Sequence, residues 1–177
     1  TVDTLKKFGV NIEKNGNEFI INENDSYVSP KEYIVEGDWS NAAFPLALGI
    51  IGKGPISVEN LYYGSYQGDK QIVDILRSFG GKIEESKTDC SFTAYPSKLR
   101  GIKIDASNIP DLVPIMSVLA CFAEGTTRIY NAERLRIKES DRLSTTTKML
   151  TALGADVTEA QNGLIIKGGK KLVGGTV

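Results

Sequence analysis

The sequence predicts an α/β (α+β) fold made of repeated β-α-β-α-β-β units, and three observations carry that expectation. One pattern recurs: Leu5-Lys6-Lys7-Phe8-Gly9-Val10-Asn11-Ile12 returns as Leu76-Arg77-Ser78-Phe79-Gly80-Gly81-Lys82-Ile83 and as Leu150-Thr151-Ala152-Leu153-Gly154-Ala155-Asp156-Val157, at a period of roughly 70 residues. Each copy reads as an amphipathic helix that closes on a glycine and runs at once into a strand. The stretches upstream of the second and third copies also match, each reading strand, helix, break, strand.

In chain order, the first helix ends at Gly9, and residues 11–14 and 18–22 pair as two strands. Residues 33–36 read as a strand and 38–51 as a helix, whose start at Asp38-Trp39-Ser40 looks like ordinary capping. After the break Gly52-Lys53-Gly54, residues 55–60 form a strand and 69–79 a helix with Ile72, Ile75, Leu76 and Phe79 on one face. Strands follow at 82–85 and 91–95. The next unit begins with a strand at 101–105 and a helix at 110–123 that turns Leu112, Ile115, Met116, Leu119 and Phe122 inward. Glu124-Gly125 breaks it, 126–131 is a strand, about 138–153 the second helix, and strands 156–159 and 163–167 flank the turn signal Gln161-Asn162-Gly163. Residue 1 thus falls inside the last helix of one unit and residue 177 just after the start of another. The expectation is a piece of a longer repeat protein, with the polar segment 23–30 as the best candidate for a hinge.

Composition narrows the chemistry. The 177 residues are 41% hydrophobic and 24% charged, with 21 Lys plus Arg against 22 Asp plus Glu, so no global positive field draws the chain to nucleic acid or an acidic membrane. No apolar run is long enough for a membrane span, and the start lacks the apolar core of a signal peptide. Only Cys90 and Cys121 are present, too few for a disulfide framework, and a reducing cytoplasm fits. Histidine is absent, which removes Ser-His and Cys-His nucleophiles, zinc sites of the HExxH type and imidazole acid-base work. Proton transfer must fall to Asp, Glu, Lys or Tyr.

The densest charge cluster is Glu133-Arg134-Leu135-Arg136-Ile137-Lys138-Glu139-Ser140-Asp141-Arg142, placed where a strand gives way to a helix. One reading is a solvated helix start. The other is an anion pocket, with Lys138 and Arg142 four apart on one face of the helical N-terminus, where free N–H groups already favour negative charge. Glu139 beside them becomes a leading acid-base candidate in a chain without histidine. Asp111, after Pro110, has a bland account as a first-turn acid suited to the dipole, and a functional one as a second carboxyl. The glycine-rich pieces match neither a P-loop nor a dinucleotide fingerprint, and Tyr62-Tyr63-Gly64-Ser65-Tyr66 reads as interface packing rather than a stacking platform.

Taken together, Tyr33-Ile34-Val35-Glu36-Gly37-Asp38, Gln67-Gly68-Asp69, Asn108-Ile109-Pro110-Asp111, Glu124-Gly125-Thr126-Thr127-Arg128-Ile129 and Arg136-Ile137-Lys138-Glu139-Ser140-Asp141-Arg142 resemble the 5-enolpyruvylshikimate-3-phosphate synthases, the 3-phosphoshikimate 1-carboxyvinyltransferases. The resemblance runs over essentially the whole chain. It implies two inside-out α/β barrel domains of the enolpyruvyl transferase type, each of three β-α-β-α-β-β units, with the active site in the cleft between them. Residues 1–35 would then be the tail of the first domain, and 36–177 two complete units and the start of a third in the second. The implied reaction moves the enolpyruvyl group of phosphoenolpyruvate to the 5-hydroxyl of shikimate 3-phosphate, without a metal or organic cofactor. By the same resemblance Asp111 contacts shikimate 3-phosphate and accepts a proton, Lys138 contacts substrates, Glu139 transfers protons, and Arg142 binds phosphoenolpyruvate. Some members carry Asn where Arg134 stands, so no ligand role passes to it.

The implied partners are the two substrates and the missing N-terminal domain, whose substrate contacts lie outside these residues; alone, the chain is expected to be inactive. Two rivals remain. The UDP-N-acetylglucosamine enolpyruvyl transferases share the repeated unit but not the Lys-Glu-Ser-Asp-Arg run, and a non-catalytic β-α repeat module would leave the charge cluster as a solvated rim.

Overall fold

The computed structural model describes residues 1–23 and 26–176, which form two compact units, Thr1–Val35 and Glu36–Val177. In the first, helix α1 (Val2–Lys7) leads into the hairpin β1 (Ile12–Asn15) and β2 (Glu18–Ile21), where Asn15 pairs with Glu18 around a tight turn. Of the expected hinge, Asn24 and Asp25 lie outside the described residues.

The second unit holds two successive repeats. The first contains helix α2 (Trp39–Ile51), strand β3 (Ile56–Val58), helix α3 (Ile72–Phe79) and the antiparallel pair β4 (Lys82–Ser86) and β5 (Ser91–Tyr95). The second contains β6 (Lys103–Asp105), α4 (Val113–Phe122), β7 (Thr126–Tyr130), α5 (Arg142–Ala152), β8 (Asp156–Ala160) and β9 (Gly163–Lys167). The sheets run β3-β5-β4 and β6-β7-β9-β8, so the first three strands repeat the order of the last three of the other sheet. In the larger sheet β6 is parallel to β7, while β9 is antiparallel to both of its neighbours.

The repeated octapeptide makes one backbone motif three times. Gly9, Gly80 and Gly154 all take positive φ (81°, 101° and 86°), which a side chain resists. The next residue's N–H then reaches back to the leucine that opens each octapeptide: Val10 to Leu5 at 3.0 Å, Gly81 to Leu76 at 2.8 Å, Ala155 to Leu150 at 2.9 Å. This is a Schellman closure, which satisfies the last carbonyls of the helix and aims the chain into the following strand.

The core of the second unit is built on α2 and α4, which pack on each other, α2 covering β3 and β5 while α4 covers β7 and β9. Both helices are apolar nearly all round, as helices enclosed between sheets must be. Trp39, Leu46 and Ile50 of α2 and Met116, Leu119 and Ala120 of α4 are buried, as are Ile72, Leu76 and Phe79 of α3. No helix among the described residues is long and apolar enough to cross a membrane.

Several expectations need correction. Residues 33–36 are irregular, so the first repeat lacks its opening strand; the following Gly37 N–H bonds to the Asn60 carbonyl at 2.8 Å, just past the end of β3, and a three-residue edge offers little ladder. The helices expected from Asp69 and Pro110 begin with 3-10 turns at Gly68–Gln71 and Pro110–Leu112, the latter between Pro110 and Pro114, neither of which has an N–H for the helical ladder. The helix expected from about Lys138 starts at Arg142. A 3-10 turn at Glu133–Ile137 precedes it, and the Asp141 carboxylate accepts from the N–H groups of Leu143 and Ser144, which ends the loop and starts the helix at one residue. Phe122, expected inside, is 47% exposed because α4 ends there and the chain turns extended at Ala123. Tyr62, Tyr63 and Tyr66 are exposed rather than packed in an interface; Leu61 and Ser65 are the buried residues of that segment.

Candidate active site

The charge cluster divides into two sets with different work. Arg136 is consumed by structure. Its guanidinium donates to Asp141 and Glu159 at 2.8 Å each, and to the carbonyls of Gln161 at 2.9 Å and Ala160 at 2.8 Å. It thereby ties the start of α5 to the β8–β9 turn and fixes the short connection that carries Lys138 and Glu139. Asp141 is held below the usual carboxylate range, chiefly by the Ser144 N–H that it caps and then by Arg136.

The second set converges on one atom. Asp111 Oδ1 receives Lys138 Nζ at 3.2 Å and Arg142 Nη1 at 2.8 Å, and Arg142 Nε also donates to Glu139 Oε1 at 2.8 Å. The four sequence-predicted residues therefore form a single network, with Asp111 brought from the start of α4 to the start of α5. The route differs from the expected one: Lys138 lies before the helix, so it and Arg142 do not share a helical face but meet across the carboxylate. Their side chains are about a third exposed (33% and 29%), open enough to receive a ligand and shielded enough for its charge to count. Arg142 holds the Glu139 carboxyl below its ordinary range through their hydrogen bond, and that bond raises the guanidinium in turn.

A fifth residue belongs here that sequence reasoning gave no role. Asp69, in the 3-10 turn before α3, is shifted up, first by burial and then by the charges of Asp111 and Asp38, with Lys138 opposing. The Gln67-Gly68-Asp69 loop is pinned by the Gln67 side chain, which accepts from the Trp39 N–H at 2.9 Å and donates to the Gly37 carbonyl at 2.9 Å. The repeat held the signal: Asp38, Asp69, Asp111 and Asp141 each stand at the start of a helix or of the 3-10 turn leading into one. Asp38 is also the cap expected of it, accepting from the Ser40 N–H at 2.8 Å.

Two cations with unused N–H donors, focused at one carboxylate and flanked by two more, are suited to binding an anion while a carboxyl moves a proton. Against known proteins, the family model described as EPSP synthase (3-phosphoshikimate 1-carboxyvinyltransferase) matches residues 1–177. The chain belongs to the EPSP synthase family. It is 46% identical over 98% of its length to the 3-phosphoshikimate 1-carboxyvinyltransferase of Methanocaldococcus jannaschii, and 49% identical over its full length to that of Clostridium acetobutylicum. The chain spans 40% of the length of each of those relatives. Among solved structures it is similar to EPSP synthase from Acinetobacter baumannii, at 26% identity and a TM-score of 0.81, over 94% of this chain and 40% of that one. The enolpyruvyl transferase NikO from Streptomyces tendae shares the fold, at 19% identity and a TM-score of 0.66, over 94% of this chain and 39% of that one. The enolpyruvyl transferase fold that the resemblance implies is thus the fold of this EPSP synthase family chain.

Proposed function

We propose that this chain carries one side of the active site of a 3-phosphoshikimate 1-carboxyvinyltransferase. In that reading residues 1–35 are the tail of one domain, and 36–177 are two units and the start of a third in the next, in a cytoplasmic enzyme whose remaining substrate contacts come from the domain not present. The observation that carries it is the network in which Lys138 and Arg142 share Asp111 Oδ1 while Arg142 also holds Glu139.

The 5-hydroxyl oxygen of shikimate 3-phosphate bonds to C2 of phosphoenolpyruvate as a proton reaches C3, giving a tetrahedral adduct. Loss of a C3 proton and of phosphate then restores the double bond. Asp111 accepts the hydroxyl proton, Lys138 supports the anionic groups, Glu139 exchanges the C3 proton, and Arg142 binds phosphoenolpyruvate. The geometry adds a coupling. While Arg142 donates to Glu139, that carboxyl is held ionised; an anion that takes over the guanidinium releases it, and its affinity for a proton rises as substrate arrives.

Steady-state kinetics of the full-length enzyme test this. Glu139→Gln should lower kcat by about a hundredfold or more with little change in KM. Arg142→Ala should chiefly raise the KM for phosphoenolpyruvate, by roughly tenfold to a hundredfold. Near-normal turnover in the first variant, together with unchanged phosphoenolpyruvate affinity in the second, would reduce the cluster to a solvated rim.

A further inference from the structure

Glu139 sits on a short stretch, residues 138–141, that belongs neither to the 3-10 turn before it nor to α5 after it. A loop stretch lacks the ladder that fixes a helix or a strand, so its anchored ends and side-chain bonds decide how firmly it stands. The 3-10 turn before it is fastened to the β8–β9 turn at both ends. At its start the Ala132 N–H donates to the Asn162 carbonyl at 2.8 Å. Toward its far end the fastening is Arg136, whose Nε and Nη2 donate to the Gln161 and Ala160 carbonyls at 2.9 and 2.8 Å. Arg136 Nη1 then reaches two carboxylates, Glu159 Oε1 of β8 and Asp141 Oδ2, at 2.8 Å each.

Asp141 divides its two oxygens between these tasks. Oδ1 accepts from the Leu143 and Ser144 N–H groups at 3.1 Å each, which sets where α5 begins, while Oδ2 is held by Arg136. The stretch therefore has Arg136 on one side and, on the other, a carboxylate that Arg136 holds, with Glu139 between the two anchors. A planar guanidinium presents its donors in a fixed fork and can serve four acceptors at once, whereas a lysine ammonium is a single point that cannot span them.

We propose that Arg136 is a positioning residue for the reaction: acting through Asp141, and without touching substrate, it sets where the Glu139 carboxyl stands against Arg142 and Asp111. The proposal rests on the reading of the cluster as the substrate site. A displacement of about 1 Å at a reacting group can cost on the order of a hundredfold in rate, so a brace of this kind acts on turnover as well as on stability.

Steady-state kinetics and thermal unfolding of the full-length enzyme test it with two variants. Arg136→Lys keeps the charge and loses the fork. Asp141→Asn keeps an oxygen for the α5 cap, at which asparagine serves as well as aspartate, and turns an NH2 group toward Arg136 where an acceptor stood. Each should lower kcat about tenfold or more, with the thermal midpoint of Asp141→Asn close to the parent's. In the Glu139→Gln background either change should lower kcat by less than about twofold further, because the group being positioned is gone. Folded variants that turn over like the parent, or losses that multiply in full with that of Glu139→Gln, would leave Arg136 a structural brace and overturn the proposal. Near-normal turnover in Glu139→Gln itself would overturn the reading of the site and this proposal with it.

Discussion

At the scale of single residues, burial decides chemistry. Cys121 lies inside α4, 3% exposed, with its Sγ donating to the Ser117 carbonyl at 3.2 Å, and burial pushes the thiol up to about 11. It should therefore resist thiol reagents at neutral pH while the chain is folded, and its labelling rate should follow unfolding. The sign of the linkage is definite. An unfolded thiol near 9.0 ionises before the buried one, so Cys121 favours the folded state fully below pH 9 and loses that contribution as pH rises toward about 11. Denaturation of the parent and of Cys121→Ala across that window checks it: the gap between their midpoints should shift with pH against the parent. A constant gap would mean that the thiol ionises equally in both states. Arg136 and Arg142, six residues apart and equally exposed, differ in their partners: Arg136 donates to four acceptors at the start of α5 and the β8–β9 turn, and Arg142 to the Glu139 and Asp111 carboxylates.

At the scale of elements, the helix-to-strand closure is the piece that repeats. Gly80 stands at φ 101°, and a Cβ there would also meet the Lys98 carbonyl oxygen at 3.0 Å. Gly80→Ala should cost about 1 to 2 kcal/mol of stability, measured by urea denaturation, through left-handed strain that no contact repays. Gly154→Ala, at φ 86° with the Val173 side chain 3.2 Å away, should cost somewhat less, since the left-handed strain is the same but a side-chain methyl yields where a carbonyl does not. Unchanged stability in both variants would mean that the closure is not what sets the helix ends. The loop from Glu133 to Asp141 is the opposite case, an element made by side-chain bonds rather than by a backbone pattern.

For the whole molecule, the site is incomplete by the proposed reading. The chain spans 40% of its relatives' length, and the cations at Asp111 are matched here by carboxylates rather than by a built phosphate cradle. The 177-residue chain alone should show no carboxyvinyl transfer from phosphoenolpyruvate to shikimate 3-phosphate in a phosphate-release assay. Turnover by the purified chain would place every essential group within it and overturn the two-domain reading.

Local signals in the sequence determined the repeat, the order of its helices and most of its strands, and the residue types available for chemistry. Helix closure depends on neighbours a few residues apart, so the octapeptides around Gly9, Gly80 and Gly154 are legible without a fold. The absence of histidine, the Lys-Glu-Ser-Asp-Arg run and the Pro110-Asp111 helix start likewise single out Lys138, Glu139, Arg142 and Asp111. Tertiary structure alone decided how those residues meet. Residues 33–36 have strand-like composition, yet a strand exists only where an edge pairs with it. Lys138 and Arg142 have helical spacing, yet Asp141 starts the helix after Lys138, and they come together because α4 delivers Asp111 from across the repeat. The repeat marks Asp69 as one of the acids at a helix start, but its electrostatic surroundings, Asp111, Asp38 and Lys138, are remote in sequence and assembled by the packing of α2, α3 and α4. Charges interact through space over several ångströms, and which charges are neighbours is a property of the packed chain rather than of its order.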